Sequence, residues 1–116
     1  MLPFRHRLTC EQRIKEYRKI RDKKPEYTPV IVERGNRETP QIDKEKFLVH
    51  DNLVVSQFLH VLRRRLNMKS SDALFLLCNN RVLMGEQTLR HISNTTPPSE
   101  DGFLYVTYTL ENAFGT

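Results

Sequence analysis

The chain has no tryptophan, only four glycines and only two cysteines. No apolar run approaches the ~20 residues that a bilayer-spanning helix needs. Cys10 and Cys78 sit in different segments, without a CxxC partner or metal-ligand spacing, so reduced thiols in a cytosolic protein are expected. His6, His50, His60 and His91 are scattered and form no HExxH pattern, so neither a metal nor a cofactor is expected. There is no P-loop, no Cys/His pair with an orienting group and no carboxylate constellation, which argues against an enzyme. Cys78, closing an apolar run, reads as packing rather than as a nucleophile. The N-terminal Met-Leu-Pro-Phe-Arg-His-Arg is basic but is followed by no apolar stretch, so it does not read as a secretory signal.

What is present suits one soluble globular domain: 116 residues, 38% hydrophobic and 28% charged. The net charge of +5 is unevenly placed. Residues 1–24 carry nine Lys/Arg against Glu11, Glu16 and Asp22, while the other 92 residues carry ten Lys/Arg against eleven Asp/Glu. The basic character therefore belongs to the N-terminal segment. Such a segment attracts acidic proteins, anionic lipid headgroups or nucleic acid, and equally suits a solvated helix face.

Thr9-Cys10-Glu11-Gln12 has the pattern of a capping box opening a helix that ends near Lys24, ahead of Pro25. Cys10, Ile14, Tyr17 and Ile20 step by four, three and three, which predicts one buried stripe. Thr28 to Glu33 is β-branched with Pro29 near its start, a strand pattern, and Phe47-Leu48-Val49 is a second short strand. The two are expected to form a hairpin. Val54 to Leu66 predicts a second helix, with Phe58, Val61, Leu62 and Leu66 inward and Arg63-Arg64-Arg65 in the last turn, where cations suit the helix dipole. Leu74 to Cys78 is a continuous apolar run, the pattern of a central strand buried on both faces. Asn79-Asn80 is turn chemistry. Val82 to Met84 predicts a brief strand, Thr88 to Ser93 a short helix, Asn94 to Gly102 a polar loop and Phe103 to Tyr108 a last strand.

A hairpin, a helix across its face and further strands of the same sheet make the β-grasp order of ubiquitin-like domains. The expected class is α+β, with an additional N-terminal helix or helices packed on the opposite face of the sheet. The crossover rule lets the strand after the helix lie parallel to the first. Three segments follow: a basic helical extension over 1–24, the core over 25–109 and a tail over 110–116.

Several strings resemble the autophagy ubiquitin-like modifiers, the GABARAP and microtubule-associated light-chain family. They are Pro29-Val30-Ile31-Val32-Glu33, Asp43-Lys44 with Lys46-Phe47-Leu48-Val49, and Arg63-Arg64-Arg65-Leu66. Ala73-Leu74-Phe75-Leu76 with Asn79-Asn80, Asp101-Gly102-Phe103-Leu104-Tyr105 and the closing Phe114-Gly115 complete the set. They follow in family order from about residue 9 to residue 115.

The resemblance implies that a cysteine protease reads Phe114 and cuts after Gly115, removing Thr116. E1-like and E2-like enzymes would then carry Gly115 as a thioester and join it to the amine of phosphatidylethanolamine. A glycine lets backbone approach a catalytic centre closely, and eight residues beyond Tyr108 reach at most roughly 26–29 Å. Thr116 equally fits an arbitrary end of the chain. The protein would be cytoplasmic, and on the autophagosome membrane once lipidated.

The resemblance also implies a groove that takes short aromatic-x-x-aliphatic motifs of cargo receptors and adaptors by strand addition. Glu16, Ile20, Pro29, Ile31, Lys46, Leu48 and Phe103 would line its aromatic pocket. Phe47, Val49, Leu53, Phe58, Val61 and Leu62 would shape its aliphatic pocket, although Ile20, Ile31, Phe58, Val61 and Leu62 also read as core. Lys44, Lys46 and Arg65 would meet acidic residues flanking the motif. Tubulin is a further expected contact of the basic helix. His50 departs from the family pattern, where proline is common. The alternatives are a basic nucleic-acid binder using residues 5–24 and Arg63 to Arg65, and a ubiquitin-like scaffold that is not conjugated. The absence of tryptophan, of an RNP-type aromatic string and of zinc-finger spacing speaks against nucleic acid as a partner.

Overall fold

The computed structural model describes residues 2–69 and 71–110. The chain runs α1 (Phe4–Arg7), α2 (Cys10–Lys23), β1 (Tyr27–Arg34), β2 (Lys46–His50), α3 (Val55–Leu66), β3 (Leu74–Cys78), β4 (Arg81–Val82), α4 (Leu89–Thr95) and β5 (Leu104–Leu110). The strands form one mixed sheet in the order β2-β1-β5-β3-β4. β1 and β2 make the antiparallel hairpin, with Val30 opposite Phe47 and Ile31 opposite Lys46. This is the α+β ubiquitin-like fold.

Two strand assignments differ from the sequence pattern. The strand parallel to β1 is β5, with Val30 opposite Leu104, while β3 runs antiparallel to β5. The doubly buried strand is β1, from Thr28 to Val32, and not β3, where only Leu74, Leu76 and Cys78 are buried. The reason is coverage. α3 and α4 pack on one face across the sheet, whereas α1 and α2 cover the other face only over β1 and the start of β5. The run Leu74 to Cys78 thus looks doubly buried in sequence but has one half-covered side, carrying Phe75 and Leu77. Smaller shifts concern ends: β4 holds only Arg81 and Val82, and α4 extends to Thr95.

The core is split by the sheet. On the α3 side, Val30, Val32, Phe47, Val49, Phe58, Leu62, Leu76, Leu89, Ile92, Val106 and Tyr108 form one buried cluster. On the α2 side, Phe4, Ile31 and Phe103 form a smaller one, with Tyr17, Ile20 and Tyr105 packed against it. Phe103 takes the edges of two rings, Phe4 at 5.2 Å and Tyr17 at 5.5 Å between centroids. Asn79 and Asn80 both adopt positive φ, 52° and 64°, as a tight turn between β3 and β4 demands.

Local chemistry explains where α2 starts. The Thr9 hydroxyl accepts from the Gln12 backbone N–H at 3.2 Å, and the Gln12 side-chain oxygen accepts from the Thr9 N–H at 2.8 Å. Its burial is less simple: Cys10, Ile14, Tyr17 and Ile20 are only half-buried, and the residue of α2 that is fully enclosed is Arg13. Arg13 donates to Asp101 at 2.6 Å, and Glu100 lies 3.3 Å away. Asp101 also accepts from the Phe103 backbone N–H at 2.9 Å, from Ser99 at 3.0 Å and from the Tyr105 hydroxyl. An apolar stripe alone would have missed this ion pair, which fastens α2 to the turn before β5.

Burial alone would raise the Asp101 carboxyl, but the hydrogen bonds from Tyr105, Phe103, Ser99 and Arg13 outweigh it and hold it below the usual range. A carboxylate depressed in the folded state adds stability above its unfolded pKa of about 3.9 and loses it as pH falls through the folded value. Asp101→Asn is therefore expected to be less stable than the parent at pH 7. The gap should narrow below about pH 4. Denaturant unfolding at a series of pH values checks this, and a gap that stays constant from neutral to acid pH would contradict it.

Candidate functional site

β2 is an edge strand, so one side of its backbone is free of sheet partners among the described residues. Its side chains alternate between the two faces. Lys46 and Leu48 point to the α2 side, opposite Ile31 and Pro29 on β1, while Phe47 and Val49 point into the α3 side. One cavity opens on the α2 side of the strand, and another lies against α3 near the loop that precedes the strand. The larger, about 680 Å³, lies between α2 and β2 and is lined by Glu16, Lys19, Ile20, Lys23, Lys44, Lys46 and Leu48. The smaller, about 390 Å³, lies against α3 and is lined by Asp43, Val61, Arg64 and Arg65.

The structure thus brings Glu16, Ile20, Lys46 and Leu48 around one cavity. Pro29, Ile31 and Phe103 are buried and do not line it; Ile31 and Phe103 belong to the small core cluster against which Ile20 packs. On the α3 side Val61 is 42% exposed at the cavity, whereas Phe47, Val49, Phe58 and Leu62 are buried in the core behind it. Leu53 is half-buried on that core. The Phe47 ring meets the edge of Phe58 at 5.6 Å.

Four lining residues lie outside the sequence expectation: Lys19 and Lys23 on the α2 side, and Asp43 and Arg64 on the α3 side. Lys19 and Lys23 carried a readable signal. They follow Glu16 by three and seven residues, which places all three with Ile20 on one helix face.

The charges are mostly engaged. Lys46 donates to the Glu16 carboxylate across the mouth of the larger cavity, and burial pushes the Lys46 ammonium below the usual lysine range. Arg65 pairs with Asp43 at 3.2 Å and lies 5.9 Å from the Phe47 ring centroid. The Lys44 ammonium sits 4.9 Å from the same centroid. Arg7 from α1 pairs with Glu45, and Arg5 with Glu33 at 2.8 Å, so the N-terminal helix is clipped to β1 and to the residue that precedes β2.

His50 closes β2. Its ring packs edge-on against its cross-strand neighbour Tyr27 at 5.3 Å, and its Nδ1 accepts from the Asn52 backbone N–H at 3.1 Å. The turn after β2 is thereby held by a side-chain hydrogen bond instead of a proline ring. Gly115, Phe114 and Thr116 lie outside the described residues. Cys78 is buried with its thiol near Thr96 and the Tyr105 carbonyl, and burial raises its pKa. A raised pKa lowers the thiolate fraction that a nucleophile needs. No helix of the described residues is long and apolar enough to cross a membrane.

A mixed five-stranded sheet in β-grasp order, with helices on both faces, defines a protein of the ubiquitin-like class. The sequence model of the family described as autophagy protein Atg8, ubiquitin-like, matches residues 12–115. The chain is 42% identical over 106 residues to autophagy-related protein 8e of Arabidopsis thaliana, covering 90% of this chain and 86% of that one. It is 39% identical over 115 residues to microtubule-associated protein 1 light chain 3 gamma of Homo sapiens, covering 97% of this chain and 78% of that one. The crystal structure of Trypanosoma brucei ATG8 superposes with a TM-score of 0.87 at 34% identity, covering 96% of each chain. The chain belongs to the Atg8 family and is an autophagy ubiquitin-like modifier.

Proposed function

We propose that this modifier is conjugated through Gly115 to phosphatidylethanolamine and then recruits cargo receptors and adaptors at the β2 edge. The observation that carries the recruitment reading is the cavity between α2 and the open edge strand, together with exposed Val61 at a second cavity on α3. An extended peptide adding to β2 gains backbone hydrogen bonds along the strand. An aromatic side chain would enter between α2 and β2 over Ile20 and Leu48. An aliphatic side chain three positions later would rest against Val61. Lys19, Lys23, Lys44 and Lys46 surround the first cavity with only Glu16 as counter-charge, so acidic residues beside the motif are attracted.

Membrane attachment in this reading comes from the lipid. Two acyl chains delivered together anchor stably, where a single chain binds only marginally. A processing cysteine protease and E1-like and E2-like enzymes would act on the tail. The protein presents the glycine and they supply the chemistry.

Titration with a short peptide of the form acidic-aromatic-x-x-Leu tests the groove. Leu48→Ala removes apolar contact worth roughly 1.5 kcal/mol or more, so affinity should fall about tenfold. Lys46→Ala is expected to weaken the acidic peptide and to matter less when the flanking acids are replaced by glutamine. Unchanged affinity in both variants would remove the groove as drawn.

A further inference from the structure

Away from β2, a small cavity of about 210 Å³ lies between α2, the start of β1, α4 and the turn at Gly102. Arg21, Asp51, Arg90, Ser93, Asn94 and Gly102 are among its walls. It is rich in donors. Arg21 spends one guanidinium nitrogen on the Tyr27 carbonyl and has no second acceptor among the described residues. Arg90 is 59% exposed at its side chain and approaches Asp51 only to 3.6 Å. The side chains of Ser93 and Asn94 make no hydrogen bond within the described residues.

The acceptors are fewer and already in use. Asp51 is the one carboxylate in the wall, and its Oδ1 accepts from the Thr28 hydroxyl at 2.7 Å. Two guanidiniums therefore face one engaged carboxylate. The cavity of about 610 Å³ near α1 and residues 96–101 differs in this respect. There Arg5 is paired with Glu33, and Arg13 with Asp101 and Glu100. Gly102 helps shape the smaller site: it adopts φ +96°, and a Cβ there would stand 2.6 Å from the Tyr17 ring that forms another wall.

We propose that this second cavity binds a phosphoryl group, carried by a phosphorylated side chain of a partner or present as free phosphate. The volume is below that of ordinary small-molecule pockets and suits a compact anion. The planar fork of arginine matches phosphate oxygens two at a time, and Ser93 and Asn94 add neutral donors. A bilayer headgroup is the less suitable source, given the proposed anchorage through the tail. The cavity lies at the Gly102 end of β5, whereas the tail follows Leu110, and seven strand residues separate the two by about 23 Å. The site is also separate from the β2 groove, since Arg21 lines it while Lys19, Ile20 and Lys23 line the other flank of α2.

The test uses the full chain, labelled with 15N. It is titrated with a Gly-phosphoserine-Gly tripeptide blocked at both ends, its unphosphorylated form, inorganic phosphate, and vesicles containing phosphatidic acid. Saturable shifts of the Ser93, Asn94 and Gly102 amides are expected with a soluble phosphoryl probe and not with the unphosphorylated tripeptide. Arg90→Gln should weaken binding about tenfold while leaving the melting temperature and the β2 peptide affinity unchanged. Arg21→Gln is the second variant, checked for folding in the same way. Tighter binding of the phosphopeptide assigns the source to a modified partner, and tighter binding of inorganic phosphate assigns it to the free anion. Shifts that do not saturate, that survive both arginine substitutions, or that arise only with vesicles would overturn the proposal.

Discussion

Gly115→Ala is expected to reduce processing and lipid attachment by at least about 100-fold in a reconstituted reaction, the scale on which small misplacements at a reacting centre act. The added Cβ would stand beside the bond that the protease cuts and the thioester carbonyl that the amine attacks. Both steps need the backbone to lie close to another protein's catalytic groups, which only glycine allows without hindrance. Tm and affinity for the β2 peptide are expected to be unchanged. That separation matters: a variant that still binds peptide but gives no conjugate isolates the tail as the reactive part. Normal lipidation of Gly115→Ala would show that the acceptor carboxyl lies elsewhere.

Phe58→Ala should have the largest effect on the fold. Phe58 is 2% exposed and supports Phe47 from behind, at the point where α3 meets the hairpin. Emptying that space costs about 3–5 kcal/mol, a large part of the roughly 5–15 kcal/mol that holds a domain together. A fall in Tm of more than about 10 °C is expected in a thermal melt. Peptide affinity should fall as well, because Phe47 and the β2 backbone lose their backing. A drop in Tm of only a degree or two would mean that the surrounding side chains close the space.

Both outcomes bear on what could be read before folding. The element order, the capping box at Thr9 and the Asn79-Asn80 turn were legible because each depends on residues close in sequence. The roles of β3 and Arg13 were not. An apolar run such as Leu74 to Cys78 reports the residues a strand offers, while burial depends on which helices reach across the sheet to cover it. Arg13 was hidden for a related reason: its partner Asp101 lies 88 positions away, and no local pattern announces a pair of that separation. The groove was half legible. Alternation along Lys46 to Val49 separates the two faces, but the burial of Pro29, Ile31 and Phe103 away from the cavity wall depended on how α1 and α2 settle.

The tail continues from β5, and β5 lies in the middle of the sheet, hydrogen-bonded to β1 on one side and β3 on the other. Ladder bonds in an antiparallel pair stand perpendicular to the strands, and those of a parallel pair are slanted. A pull applied beyond Leu110 therefore runs along β5 and across two ladders at once, loading their bonds together in shear instead of opening them one by one. Under the proposed attachment, tension between an anchored tail and a cargo held at the β2 edge would pass through β1 and β5, which with β3 are the strands flanked on both sides. In that arrangement the load would fall on the ladder bonds at the centre of the sheet and not on its edge.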